Sequence, residues 1–138
     1  MPSKVMIYSD GGARGNPGPA AIGVLICDDS GRDLLDYAEV IGETTNNVAE
    51  YRGLLKGLEL AKEMGASQID YYVDSQLVAC QVRGEYRVKT PHILELFKQV
   101  KESLRQFESF SIRQVPRTHE KIQQADKLVN QALDEAGH

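Results

Sequence analysis

Eight consecutive apolar or small residues, Ala20-Ala21-Ile22-Gly23-Val24-Leu25-Ile26-Cys27, constrain this chain more than any other feature. A bilayer span takes about 20 such residues, so the run is far too short to cross a membrane. A short run that is apolar at every position and bounded by turn residues reads instead as a strand buried on both faces. Its boundaries are explicit. Residues 10–19 hold four glycines and two prolines and read as a loop, and Asp29-Ser30-Gly31-Arg32 reads as a turn. Two further strands flank it, over residues 4–9 and 33–41. In the first, Val5, Ile7 and Ser9 alternate with Met6 and Tyr8. Short connections make the three an antiparallel meander with the apolar strand, residues 20–28, at its centre.

Helical spacing replaces alternation from residue 47. Val48, Tyr51, Leu55, Leu58 and Ala61 fall on one face of a helix over 47–64, and Gly65 ends it. Residues 68–74 read as a fourth strand, and 75–83 as a short helix stopped by Gly84. Thr90 is placed to cap a third helix with Pro91 at its first position; Ile93, Phe97, Val100, Leu104 and Phe107 form its apolar stripe. Residues 110–115 read as a fifth strand. A last helix over 120–136 turns Ile122, Ala125, Val129 and Ala132 inward. Helical crossovers set the fourth and fifth strands parallel to the first. The expected fold is α/β: a mixed five-stranded sheet, three antiparallel strands plus two parallel, flanked by helices in the order βββαβααβα.

The chain's 138 residues fit one domain over 1–138, large enough to bury a core without disulfides. Cys27 and Cys80 both lie in apolar stretches and are expected as buried free thiols, which points to a reducing compartment. The N-terminal residues carry no long apolar segment, so no leader is expected and the chain reads as cytoplasmic. The net charge of −4 argues against a simple basic nucleic-acid binder. That objection weakens if several carboxylates hold metal, because bound cations then belong in the charge balance.

Four acids are candidates for that task. Asp10 ends the first strand, in Tyr8-Ser9-Asp10-Gly11-Gly12, and Asp74 ends the fourth, in Tyr72-Val73-Asp74-Ser75-Gln76. On neighbouring strands, both emerge at the same sheet end, the usual place for ligands in open α/β sheets. Glu50 and Asp126 lie on the first and last helices. Each acid also has a plain structural reading. Asp10 suits a turn before Gly11, and Asp74 suits a helix N-cap. Glu50 lies three residues after Asn47, the spacing of a capping box, and Asp126 suits a solvated helix face. Converging, the four would repel one another without metal and would offer the oxygen ligands that hard divalent cations select. Such a cluster suits two-metal phosphoryl transfer, in which one ion activates water and the other stabilises the leaving oxygen.

These segments together resemble the type 1 ribonuclease H family over nearly the whole chain. The resemblance rests on Tyr8-Ser9-Asp10-Gly11-Gly12 followed by Gly15-Asn16-Pro17-Gly18-Pro19; on Thr44-Thr45-Asn46-Asn47-Val48-Ala49-Glu50; on Val73-Asp74-Ser75-Gln76; and on Ala125-Asp126-Lys127-Leu128-Val129-Asn130. It implies hydrolysis of the RNA strand of RNA–DNA hybrids by a monomeric enzyme with two Mg²⁺ ions, Mn²⁺ satisfying the same ligands. By the same resemblance Asp10 bridges both ions, Asp126 completes the site of the water-activating ion, and Glu50 and Asp74 complete the other. Asn16, Asn46, Asn47 and Gln76 are implied at the minor groove and the 2′-hydroxyls, and Thr45 at a phosphate of the DNA strand. Gly11 and Gly12 would let backbone approach the RNA. A catalytically inactive hybrid-binding module and a DNA-directed nuclease of the same fold are the alternatives.

The chain departs from larger family members in two places. They carry a long basic helical protrusion where residues 84–90 stand here. Arg83, Arg87 and Lys89, with Tyr86, are what remains of that surface, to grip a backbone or to form a solvated loop. The family also often has a histidine in a loop before its last aspartate. His119 is the candidate, at a different spacing, as a proton shuttle or a residue at the helix start.

Overall fold

The computed structural model describes residues 3–138; Met1 and Pro2, where the reading of a leaderless N-terminus begins, lie outside the described residues. Five strands and four helices follow in the expected order: β1 (Lys4–Ala13), β2 (Gly18–Cys27), β3 (Asp33–Thr44), α1 (Asn46–Glu63), β4 (Gln68–Val73), α2 (Gln76–Val82), α3 (Pro91–Leu104), β5 (Ser109–Gln114) and α4 (Glu120–Glu135). The strand order across the sheet is β3-β2-β1-β4-β5. β2 pairs antiparallel with β1 and β3, and β4 pairs parallel with β1 and β5. The mixed sheet is therefore the one the periodicity predicts, with the apolar β2 inside it.

The alternation along β1 divides the core between two layers. Val5 and Ile7 are fully buried with Tyr51, Leu54 and Leu58 of α1. Tyr8 packs on the other face with Leu25, Cys27 and Ile122 of α4. On the α1 side, Tyr71 of β4 directs its hydroxyl to Ser9 Oγ at 2.8 Å, and the Tyr51 hydroxyl donates to Gln81 Oε1 at 2.7 Å. Both polar groups in this layer thus retain the partners that burial demands. Cys27 and Cys80 are buried free thiols. Burial, reinforced by the Asp33 carboxylate, pushes the Cys27 thiol up to about 11.

Three expectations about local structure need correction. Residues 10–19 are not one loop: β1 runs on to Ala13, with Gly11↔Ile22 and Ala13↔Ala20 paired, and only residues 14–17 turn the hairpin. The ladder's inward pairing outweighs the turn preference of its glycines. Thr90 stands at the N-cap of α3 but makes no side-chain capping bond; Pro91 alone sets that helix start. In α4 the buried end of the stripe is Leu133, with Ala132 partly buried beside it. No helix among the described residues is long and apolar enough to cross a membrane.

Candidate active site

The site exists because β1 is longer than its parallel neighbour. The β1–β4 ladder ends at Tyr8↔Tyr72, while β1 continues against β2 to Ala13. Beyond Tyr8, one edge of β1 therefore borders an open notch. Asp10 stands on that free stretch, and Asp74 follows Val73, the last residue of β4. Glu50 enters from α1. Carboxylate oxygens of Asp10, Glu50 and Asp74 all lie within 4.8 Å of one another.

Close packing of α1 on β1 fixes this convergence. A β-carbon on Gly11 would overlap the Ala49 carbonyl, so only glycine lets the helix lie this near the strand. At that separation the Gly11 amide donates to Glu50 Oε1 at 2.9 Å. Glu50 is thus not the glutamate of a capping box. Thr45 is the N-cap of α1, its Oγ1 accepting from the Val48 amide at 3.2 Å. The α4 helix comes equally near on the other face, where a β-carbon on Gly23, the partner of Asp10, would overlap the Ala125 carbonyl. Asp126 is the next residue along that helix. Gly11 thus serves packing and also lines the groove, as does Gly12, where a β-carbon would meet only Val129 Cγ1, at 3.8 Å.

Burial and crowding shift the acids in one direction. Burial raises Asp10 to about 6, with the Asp74 and Asp126 charges adding to the shift and the Glu50 hydrogen bond opposing it. Burial also carries Glu50 well above the usual carboxylate range, with Asp10 beside it as the next cause. Asp126 is exposed on the groove wall, outside the tight triad, and its Oδ2 accepts from Asn130 Nδ2 at 3.4 Å. The arrangement fits a divalent cation. Three hard oxygen donors meet where at least two ionise reluctantly, and a cation supplies the charge they lack.

The groove around the triad encloses about 560 Å³ and is lined by Asn46, Asn47, Ser75 and Leu77 on one side and by Asp126, Val129 and Asn130 on the other. The amides expected at the substrate divide into two kinds. Asn46 and Asn47 line the groove; Asn16 and Gln76 do not. Asn46 Oδ1 accepts from the Ala13 amide at 2.8 Å, and Asn16 Oδ1 accepts from the Asn46 amide at 3.0 Å. These two side chains tie the β1–β2 hairpin to the start of α1. With their oxygens engaged, they keep N–H groups to offer. Gln76 Nε2 donates to the Tyr86 hydroxyl at 3.4 Å, linking α2 to the loop that replaces the protrusion.

The basic loop is partly committed and partly free, and His119 takes the helix-start position. Arg83 is committed to Glu85, Nε to Oε2 at 2.7 Å, and to the Ile112 carbonyl at 3.2 Å. Arg87 and Lys89 are exposed. His119 is the N-cap of α4: its Nδ1 accepts from the Lys121 amide at 3.1 Å and its ring stacks on Tyr8, centroids 5.3 Å apart. It is not among the residues lining the groove.

Two charged groove residues escaped the sequence reading. Arg14, in the hairpin turn, pairs with Asp134 at 2.7 Å and donates to the Asn130 carbonyl at 3.3 Å. Arg117 donates from Nε to Asp74 Oδ2 at 3.1 Å. The parallel β4–β5 pairing carried a signal for Arg117, since residues just past β5 must emerge beside Asp74.

Comparison with known proteins agrees with this architecture. A reverse transcriptase-like family model matches residues 8–132. A bifunctional protein of Mycobacterium tuberculosis is 42% identical over 96% of this chain, which spans 36% of that protein. The ribonuclease HI of Halobacterium salinarum is 40% identical over 96% of the chain, which spans 66% of it. The chain thus spans about a third of the mycobacterial relative's length and about two thirds of the archaeal one's. The solved H. salinarum ribonuclease H1 superposes with a TM-score of 0.92 at 39% identity, covering 96% of this chain and 98% of that one. The LC11 ribonuclease H1, solved in complex with an RNA/DNA hybrid, gives a TM-score of 0.90 at 40% identity, covering 97% and 99%. With these matches, the ordered acids and the bare connection between α2 and α3, the chain belongs to the type 1 ribonuclease H family, in a short form without the long basic protrusion.

Proposed function

We propose that the chain hydrolyses the RNA strand of RNA–DNA hybrids with divalent cations, Mg²⁺ foremost and Mn²⁺ as a substitute, leaving 5′-phosphate and 3′-hydroxyl ends. The observation that carries this reading is the convergence of Asp10, Glu50 and Asp74 within 4.8 Å at the floor of an amide-lined groove. Asp10, Glu50, Asp74 and Asp126 would hold two ions, with Asp10 shared. Bound there, the ions would supply Lewis acidity to the scissile phosphate and acidify the attacking water. This chain's own contribution is to fix the acids through the α1–β1 packing and to orient the duplex. Asn46 and Asn47 face the groove, and their N–H groups suit the oxygen acceptors of a minor groove and its 2′-hydroxyls. Asn16 holds Asn46 in place. The Thr45 hydroxyl accepts from the helix and keeps its hydrogen to donate to a phosphate. The solved complex of the LC11 relative with an RNA/DNA hybrid supports the choice of substrate. We place this activity in the cytoplasm, where buried thiols such as Cys27 and Cys80 stay reduced.

A strand-labelled hybrid, with and without Mg²⁺, tests the reading. The RNA strand should be cut only with metal. Duplex DNA and a hybrid whose RNA is 2′-O-methylated should stay intact. Efficient cutting of plain duplex DNA would assign the chain to a DNA-directed nuclease; binding without cutting in both Mg²⁺ and Mn²⁺ would make it a hybrid-binding module.

A further inference from the structure

Arg117 and Asp74 form an uneven ion pair. The Asp74 side chain is 6% exposed, the Arg117 side chain 88%. The guanidinium thus reaches in from solvent to a nearly covered member of the triad. Its approach is built into the backbone. The parallel β4–β5 ladder runs to Val73↔Gln114, and the Val115 amide then donates to the Val73 carbonyl at 2.8 Å. A turn closed by the His119 amide on the Pro116 carbonyl, at 2.9 Å, follows at once. Arg117 lies in that turn, two residues past the anchor and beside the strand end that carries Asp74. Among the described residues its side chain has no other hydrogen-bond partner. The Asp74 carboxylate raises Arg117 above the ordinary guanidinium range, and Asp10 and Asp126 add to the shift, so the cation sits in the field of the whole acidic cluster.

We propose that Arg117 is the resident counter-cation of the acidic triad, which divalent metal displaces from Asp74 and which then passes to a phosphate of the bound duplex. The proposal rests on the reading of the triad as a metal centre. Acids this close repel one another, and a nearby cation lowers that cost while metal is absent. A metal ion bound to Asp74 would compete with the guanidinium for one carboxylate and repel it. Arg117 then loses its only partner while its anchored turn keeps it on the groove rim. The nearest new anion is the backbone of a duplex lying across the groove, for which a guanidinium is well suited. Metal and hybrid are therefore coupled: whatever Arg117 takes from metal affinity, a phosphate that draws Arg117 away restores.

Calorimetric titration of the metal-free full chain with Mn²⁺ tests the first half without any turnover. Arg117→Ala should tighten Mn²⁺ binding by about threefold to tenfold, the scale of a partly exposed ion pair, and Arg117→Lys should stay near the wild type. Arg14→Ala removes the same charge from the same groove without touching Asp74, and should change affinity by less than about twofold. Unchanged or weaker binding in Arg117→Ala would overturn the proposal. So would equal tightening in Arg14→Ala, which would make the effect a general field. Asp10→Asn should bind Mn²⁺ far more weakly; wild-type affinity there would instead sink the metal reading itself, however Arg117 behaves. The second half is read from salt dependence. In Mg²⁺, the slope of log kcat/KM against log salt should be shallower by about one in Arg117→Ala, the signature of one lost phosphate contact, whereas metal-free hybrid binding should show no change of slope. Equal slopes in Mg²⁺ would overturn the transfer to phosphate.

Discussion

Replacing Asp10 by Asn should stabilise the metal-free protein while destroying its activity. The magnitude follows from the shift of Asp10 from 3.8 to about 6. A raised carboxyl pKa means that the folded state holds the proton more tightly than the unfolded chain. Stability therefore falls as pH rises from about 4 to about 6, and the full penalty persists above that window. At about 1.4 kcal/mol per unit, two units amount to roughly 3 kcal/mol, an upper limit for a group whose charge is shared with Glu50, Asp74 and Asp126. The amide keeps the shape, carries no charge and can donate to Glu50. We expect Asp10→Asn to gain about 1–3 kcal/mol at pH 7.5 in chelator, or roughly 3–10 °C in Tm for a chain of this size. Urea denaturation at pH 7.5 and pH 4 measures it: the gain should shrink at pH 4, where both states of the wild type approach protonation. Added Mg²⁺ should narrow the gap by stabilising the wild type alone. An Asn variant no more stable than the wild type in chelator at pH 7.5 would refute the reasoning, because the acids would then not be in conflict.

Gly11→Ala should lose roughly 2–4 kcal/mol, since its methyl group would overlap the Ala49 carbonyl and one of the two backbones must move; thermal denaturation would show it, and a loss under about 0.5 kcal/mol would contradict the close approach. His119→Ala should cost about 1 kcal/mol of stability through the lost α4 cap and its stacking on Tyr8. Its turnover should fall by about tenfold or less, and a much larger fall at full stability would restore His119 to the chemistry. Neutralising Arg87 and Lys89 together should flatten the salt dependence of hybrid binding, whereas neutralising Arg83, already paired with Glu85, should flatten it little; filter binding across salt concentrations separates the two.

The architecture was legible wherever burial sets the pattern. The apolar run of β2, the alternation of β1 and the helical spacing of α1 and α4 each name their own environment. What stayed hidden depended on contacts between distant residues. Nothing local to residues 10–13 reveals that they pair with β2, because their glycines serve packing that only the assembled sheet displays. The capping-box spacing from Asn47 to Glu50, the plain alternative for that acid, is not used because Thr45, two residues earlier, takes the N-cap and frees Glu50 for the Gly11 amide. The carboxylates could be singled out because acids at strand ends and on facing helices have so few shared uses. Arg117 was legible only indirectly, through the parallel β4–β5 pairing, whose register past Gln114 brings it beside Asp74.

The glycine contact between β1 and α1 also decides how the site can move. Asp10 and Glu50 ride on two elements locked backbone to backbone, with the Gly11 amide bolted to the Glu50 carboxylate. They form a stiff jaw whose gap the protein cannot easily adjust. Asp126 comes from the helix on the opposite face of the sheet. It is exposed, on a helix joined to the hairpin through Arg14, Asn130 and Asp134. The fourth carboxylate therefore rides on an element seated almost as closely, with Gly23 beneath the Ala125 carbonyl, and only its own exposed side chain is left to adjust to what the stiff jaw holds.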